Sequence, residues 1–201
     1  MSFDYKKRVS ESIKNDPIGK LLDSLHMETA FFTQSALSMP WALSMPAMDN
    51  CMMFHIVVEG TAVFHFDGQD VSLNAGDFIL FPKGEGHKLS DGNYQFFTPL
   101  TKLPIKPITA RYETLKYGGG GTRTDLVCGV LLFQHPLAIK LMGILPSSIL
   151  LRKDEKSSLN MVDNISSLLE VETNQIGIGA EAVISRLADI LVISSMREYL
   201  T

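Results

Sequence analysis

The stretch GDFILFPKGEGH, residues 76–87, restricts the fold more than any other part of the chain. Four apolar residues, Phe78 to Phe81, make a short strand. Pro82 has no N–H to give to a ladder, so the strand ends there. Gly84 and Gly86 permit a tight loop, and one imidazole, His87, stands at its exit. Either the loop is only a turn or it holds His87 toward the interior, and the second is the expectation tested below.

The surroundings of this stretch read as β-structure. From about residue 29 to 133, runs such as CMMFHIVV, TAVFHFDG, DFILFP, ARYETLKY and TDLVCGVLLF alternate with Gly, Pro and Asp turns. That spacing predicts an antiparallel sandwich or barrel and argues against βαβ units. FHIVVEGTAVFHF reads as a hairpin turning at Glu59-Gly60. Alternation then places Met53, His55 and Val57 on one face with Ala62, Phe64 and Phe66, and sends His65 to the other. Before this region, Asp16 is a good N-cap and Pro17 suits a first helical position. Ile18, Leu21, Leu22 and Leu25 follow at helical spacing, which predicts a short helix ending near His26. After residue 136 the texture is helical, with segments LAIKLMGILP, SSLNMVDNISSLLEVE and GAEAVISRLADILVISSMREYL. In the second of these, Met161, Ile165 and Leu168 stand at helical spacing.

The order hairpin, turn, Gly-Asp, apolar strand, Pro-x-Gly-x-x-His resembles the cupin superfamily. The second cupin motif, Gly, five residues, Pro-x-Gly, two residues, His, is matched in full by Gly76, Pro82, Gly84 and His87. The first motif is poorly matched. With its closing Gly at Gly60, its metal-binding Glu falls on Met53 and its two His fall near Pro46 and Met48. The series DPIGKLL, WAL, FHIVVEG, AGDFILFPKGEGHKL, GGGGTRTDLVCG, LPSSILL and GAEAVISRLADILVISSMREYL further resembles the N-terminal sensor region of AraC-family transcriptional regulators, over roughly residues 16–201.

The resemblance implies a mainly β fold: a cupin-type antiparallel barrel (double-stranded β-helix) followed by a C-terminal helical region. It divides the chain into an N-terminal arm with a short helix at 1–28, a cupin-like barrel at 29–135, and a helical dimerisation region at 136–201. In that family the cupin domain binds a small-molecule effector, helices dimerise, and DNA is bound by a C-terminal helix-turn-helix part that is not in this sequence. The expected function is therefore effector sensing and dimerisation, not catalysis. The alternative is a small metal-dependent cupin enzyme of the dioxygenase or isomerase type, which the absent ligands of the first motif disfavour.

The pocket residues expected for an effector are Met53, His55, Phe64, His87 and Cys128, with Trp41 as a further wall. Two readings of the polar group are open. His55, His87 and Cys128 would suit zinc, which takes imidazole and thiolate. Alternatively, the histidines are buried and hydrogen-bonded and the thiol acts as a small hydrophobe.

Bulk properties restrict the partners. A net charge of −4 and a pI of about 5.7 leave no basic footprint for nucleic acid in these residues. Two cysteines in 201 residues are no disulfide framework and suit a reducing, cytoplasmic setting. The N-terminus has no signal-peptide h-region, and no run approaches the roughly 18 apolar residues that span a bilayer. The last helix carries two apolar stripes in succession. Val183, Ile184, Leu187, Ile190 and Leu191 are expected to pack on the body. Val192, Ile193, Met196, Tyr199 and Leu200 make the second stripe, and Ile193, Met196, Tyr199 and Leu200 of it are expected to form a homodimer interface.

Overall fold

The computed structural model describes residues 19, 22, 27–133, 136–153, 164, 165, 167–169, 171, 172 and 177–200. The expected helix start at Asp16 and Pro17, with Ile18, Leu21 and Leu25, lies outside them, as does Met161. Twelve strands follow one another: β1 Met27–Ser38, β2 Ala42–Met45, β3 Cys51–Glu59, β4 Thr61–Phe66, β5 Gln69–Asn74, β6 Phe78–Phe81, β7 His87–Ser90, β8 Thr98–Pro99, β9 Ile105–Pro107, β10 Tyr112–Gly118, β11 Arg123–Phe133 and β12 Ile149–Leu151. Two helices stand out, α1 Pro136–Ile144 and α2 Ala180–Leu200.

The strands form a seven-stranded sheet, β12-β6-β3-β11-β1-β10-β9, and a five-stranded sheet, β5-β4-β7-β2-β8. This is the mainly β cupin fold that the sequence predicts, but its sheets are not closed into a barrel. A second expectation is corrected with it. β3 and β4 do not form a hairpin, because β3 pairs with β11 and β6 while β4 pairs with β5 and β7. Gly60, at φ 78°, is where the chain crosses from one sheet to the other. A Cβ there would lie 2.5 Å from the Arg123 carbonyl oxygen, so no larger residue fits the crossing. His55 and Phe64 still face each other, with ring centroids 5.2 Å apart, but across the gap between sheets.

β3 is buried on both faces, which explains why CMMFHIVV is an unbroken apolar run and not an alternating one. Met52, Phe54 and Ile56 belong to a core that includes Ile184, Ala188, Leu191 and Val192 of α2. Cys51, Met53 and Val57 belong to a second core shared with Ala62, Phe64 and Leu89 of the smaller sheet. The large sheet thus divides two cores.

β12 sits inside the region expected to be helical. It pairs with β6, Ile149 against Leu80 and Leu151 against Phe78. Asp77, which follows the motif's first glycine, fastens the end of this strand. Its carboxylate accepts from Arg152 at 3.0 Å, from the backbone N–H of Lys153 at 3.0 Å and from that of Asn74 at 2.9 Å, while only 3% exposed.

The helix α2 departs from expectation in a definite way. Ile184, Ala188, Leu191, Val192, Ser195 and Met196 are all buried. At about 100° per residue, Ala188 and Ser195 fall between the two apolar stripes and join them into one arc of about 140°. Met196 is fully buried against the chain's own body, and Ile193 and Leu200 pack beside it. These three are therefore committed to the body, and of the four expected dimer residues only Tyr199 is exposed. Val183 and Ile190, expected on the body, lie outside the arc and are exposed instead. Truncating a fully buried methionine removes packed atoms from a sealed core, so Met196→Ala is expected to cost about 2–5 kcal/mol. Urea denaturation should show a lower midpoint with an unchanged m-value.

Candidate functional site

The loop after β6 settles where His87 points. Gly84, at φ 63°, is pressed against the segment before β3, where a Cβ would come 2.1 Å from the Met48 carbonyl oxygen. The Met48 N–H donates to the Gly84 carbonyl at 2.9 Å and locks the two segments together. Pro82 is buried beneath them. The chain leaves this clamp into β7 with His87 turned inward, 3% exposed, its ring stacked on Phe81 at 3.9 Å between centroids.

His87 then meets His55 from the opposite sheet. Their Nε2 atoms lie 2.7 Å apart. On the far side, His55 Nδ1 lies 3.0 Å from Cys128 Sγ, because β3 and β11 pair His55 directly with Cys128. His87 Nδ1 lies 3.0 Å from the Glu85 carbonyl oxygen.

A carbonyl can only accept, and this fixes every proton in the line. His87 donates from Nδ1 to Glu85, so its Nε2 is a bare acceptor. His55 donates to it from Nε2, which leaves its own Nδ1 to accept the Cys128 S–H. Each polar group is satisfied while all three side chains are neutral.

The electrostatics agree. Burial, reinforced by the nearby His87, holds His55 well below the ordinary imidazole range. Burial likewise lowers His87 to about 4, against a smaller opposing effect of the Glu85 hydrogen bond. The Cys128 thiol is pushed up to about 12, chiefly by burial, with a hydrogen bond from Ser35 working the other way. It is a protonated thiol and not a nucleophile.

The same line bears on zinc. Two ligand nitrogens on a tetrahedral zinc stand about 3.3 Å apart and aim at one point. Here the two Nε2 atoms are closer than that and share a proton, while Cys128 faces the other nitrogen of His55. Three lone pairs do not converge, and among the described residues no group of three His, Cys, Asp or Glu could hold a metal ion. The structure favours the hydrogen-bonded reading over the metal reading.

Beside the line, between the sheets, is a small cavity of about 30 Å³. Met53, His55 and Cys128 line it together with Thr33, Ser35, Met45, Leu100, Leu126 and Val130. Phe64, His87 and Trp41 do not reach it. Phe64 and His87 pack around His55, and Trp41 is buried in the surrounding core. Phe31, Thr33 and Ser35 of β1 share one strand face, but nothing local in METAFFTQSALS shows that this face rather than the other turns to the cavity, and PLTK carries no signal for Leu100.

A second line, formed by Ser90, His65 and Asp70, escapes it too. His65 Nε2 lies 2.9 Å from Ser90 Oγ, and its Nδ1 lies 2.7 Å from Asp70 Oδ1. It resembles a nucleophile-base-acid order, but Ser90 is fully buried and its hydroxyl already accepts the Gly92 N–H. Tyr94 and Phe97 cover the His65 ring. The arrangement anchors the loop after β7 and leaves no nucleophile accessible.

Comparison with known proteins places this geometry in context. The Cupin_6 family, described as cupin, matches residues 16–201. The HTH-type transcriptional regulator MtrA of Neisseria gonorrhoeae is 26% identical over 190 residues, which cover 92% of this chain and 59% of that protein. The HTH-type transcriptional regulator AlkR of Acinetobacter baylyi is 23% identical over 189 residues, covering 92% and 61%. A solved structure of unsaturated fatty acid bound wild-type ToxT from Vibrio cholerae is similar over 85% of this chain and 54% of that one, at 11% identity and a TM-score of 0.44. The chain spans about three fifths of the length of the curated relatives it matches.

The neutral line gives the protein a pH dependence of defined sign. Below an ordinary imidazole value of 6.5 the unfolded chain takes up protons that the folded chain, with His87 near 4, refuses. Stability is therefore full above 6.5 and falls as the pH drops toward 4. His87 alone should remove about 2 kcal/mol by pH 5, and His55 adds to the loss in the same direction. Urea midpoints at pH 7 and pH 5 measure this. The double variant His55→Leu/His87→Phe should be much flatter, and an equally steep wild type and variant would show that other groups set the slope.

Proposed function

The chain belongs to the Cupin_6 family of cupins, and from that premise we propose that it is the effector-sensing domain of an AraC-type transcription regulator, taking a small molecule into the cavity between its sheets. The observation that carries the reading is the cavity itself. It is mostly apolar and edged by a few fixed polar groups, which is the usual lining of a small-molecule site, although at about 30 Å³ it must open to take one. The two curated relatives are regulators and not enzymes, which favours a non-enzymatic role. The protonated Cys128, the neutral histidines and the buried Ser90 offer no group prepared for catalysis.

A ligand acts on such a domain only through its different affinity for two arrangements. The cavity borders the core beneath α2 through Gly129, which lines it and lies opposite Phe54. A Cβ at Gly129 would come within 2.3 Å of the Phe54 ring, so the wall between the cavity and the helix-side core is one backbone thick there. An occupant that displaces this wall shifts the packing beneath α2.

The reading includes DNA binding through a helix-turn-helix part outside this sequence and a homodimer through α2. Val183 and Ile190 are the large aliphatic residues that α2 leaves exposed along its length, so they replace Met196 as the proposed contact. Among the described residues no helix is long and apolar enough to cross a membrane.

A thermal-shift screen of the chain tests the proposal. A true effector raises the melting temperature by binding only the folded state, and the rise should vanish in Val130→Phe, which fills the cavity, once circular dichroism shows that variant folded. A hit unaffected by the filled cavity would move the site elsewhere. Sedimentation of Val183→Asp/Ile190→Asp tests the dimer, and an unchanged mass relative to wild type would exclude that face.

A further inference from the structure

The polar groups around the cavity are spent on one another. Thr33 donates its hydroxyl to Glu113 at 2.7 Å. Both ring nitrogens of His55 and the thiol of Cys128 belong to the neutral line. The only buried side-chain nitrogen or oxygen atoms without a partner among the described residues are Trp41 Nε1 and Asp189 Oδ1, and neither residue lines the cavity. Among the described residues no Lys, Arg, Asp or Glu lines it either. Glu113, behind Thr33, is the charge that acts on Cys128, and it repels an anion.

An anion entering such a space would lose its hydration and find neither a counter-charge nor a free donor, and an ammonium would lose its hydration with no carboxylate in the lining, the Glu113 carboxylate behind the wall being engaged by Thr33. Resting on the reading of the cavity as an effector site, we infer that it selects an uncharged apolar molecule and rejects carboxylates and amines of the same size. The remaining walls suit that selection: Leu43, Leu115, Leu126 and Val130 are apolar, and Met45 and Met53 are unbranched and adaptable. At about 30 Å³ the empty cavity holds roughly two waters by the usual one-probe criterion. Any organic occupant must therefore enlarge it, and the methionines are the side chains that yield most easily.

The experiment uses three probes of one shape, toluene, benzoate and benzylamine, at matched concentrations with the whole chain. At about ten times its Kd, toluene should raise the melting temperature by roughly 3–6 °C, while benzoate and benzylamine leave it unchanged. The toluene shift should shrink in Val130→Ile, which adds a methylene to the wall, and grow in Leu126→Ala, which enlarges the space. An equal or larger shift with benzoate or benzylamine that responds to both variants would overturn the inference of charge rejection while leaving the effector site intact. A toluene shift insensitive to both variants, or no shift from any probe in wild type and in Leu126→Ala, would overturn the site and the inference together.

Discussion

In the middle of their apolar interface the two sheets are joined by a buried polar contact, the hydrogen bond from His55 Nε2 to His87 Nε2, while hydrogen bonds from Thr124 to the Thr61 carbonyl and between Thr98 and Tyr117 link them elsewhere. Most of what surrounds the histidine pair is arranged to keep that contact neutral and complete. The Pro82-Lys83-Gly84 turn aims His87, the Glu85 carbonyl fixes its tautomer, and Cys128 satisfies the nitrogen that His55 has left. Removing any member strands a buried donor or acceptor, which costs about 1–3 kcal/mol, more than a hydrogen bond is worth on balance. Such a line specifies how the sheets face each other more than it strengthens their adhesion, because the apolar neighbours supply most of the latter.

The large sheet carries a second constraint. It must be apolar on both faces, one toward α2 and one toward the smaller sheet. β3 and β11 accordingly expose few side chains, and those lie at or near the strand ends. Gly129 marks where this two-sidedness is tightest, since Phe54 occupies the space its side chain would need. The Asp77 carboxylate performs a related duty at the sheet's edge, holding β12 and so the floor on which α2 rests.

Several of these features are legible in the sequence. The Gly76, Pro82, Gly84 and His87 spacing predicts an inward histidine because glycine and proline restrict the backbone locally, and local rules survive folding. Strand alternation correctly puts Met53 with His55 for the same reason. Pairing partners are not local. Glu59-Gly60 looks like a hairpin tip, and only the competition of β11 and β6 for β3 reveals a crossing between sheets. In α2 the two stripes are visible, but Ala188 and Ser195 are too small to register as apolar signal, although their smallness is what lets the helix lie close. The zinc reading fails on direction. Residue types suit the ion, whereas the ring nitrogens face different partners.

Strand order has a consequence for how the chain is made. β11 lies between β1 and β3, and those two strands do not pair with each other. Until residues 123–133 exist, the two halves of the large sheet have no ladder between them, and one edge each of β1 and β3 waits unpaired. At about 5–20 residues per second, the interval from β1 to the end of β11 is on the order of 5–20 s. For that time the nascent chain exposes sticky edges with nothing native to bind, so its dependence on chaperones during translation should exceed what its finished surface suggests.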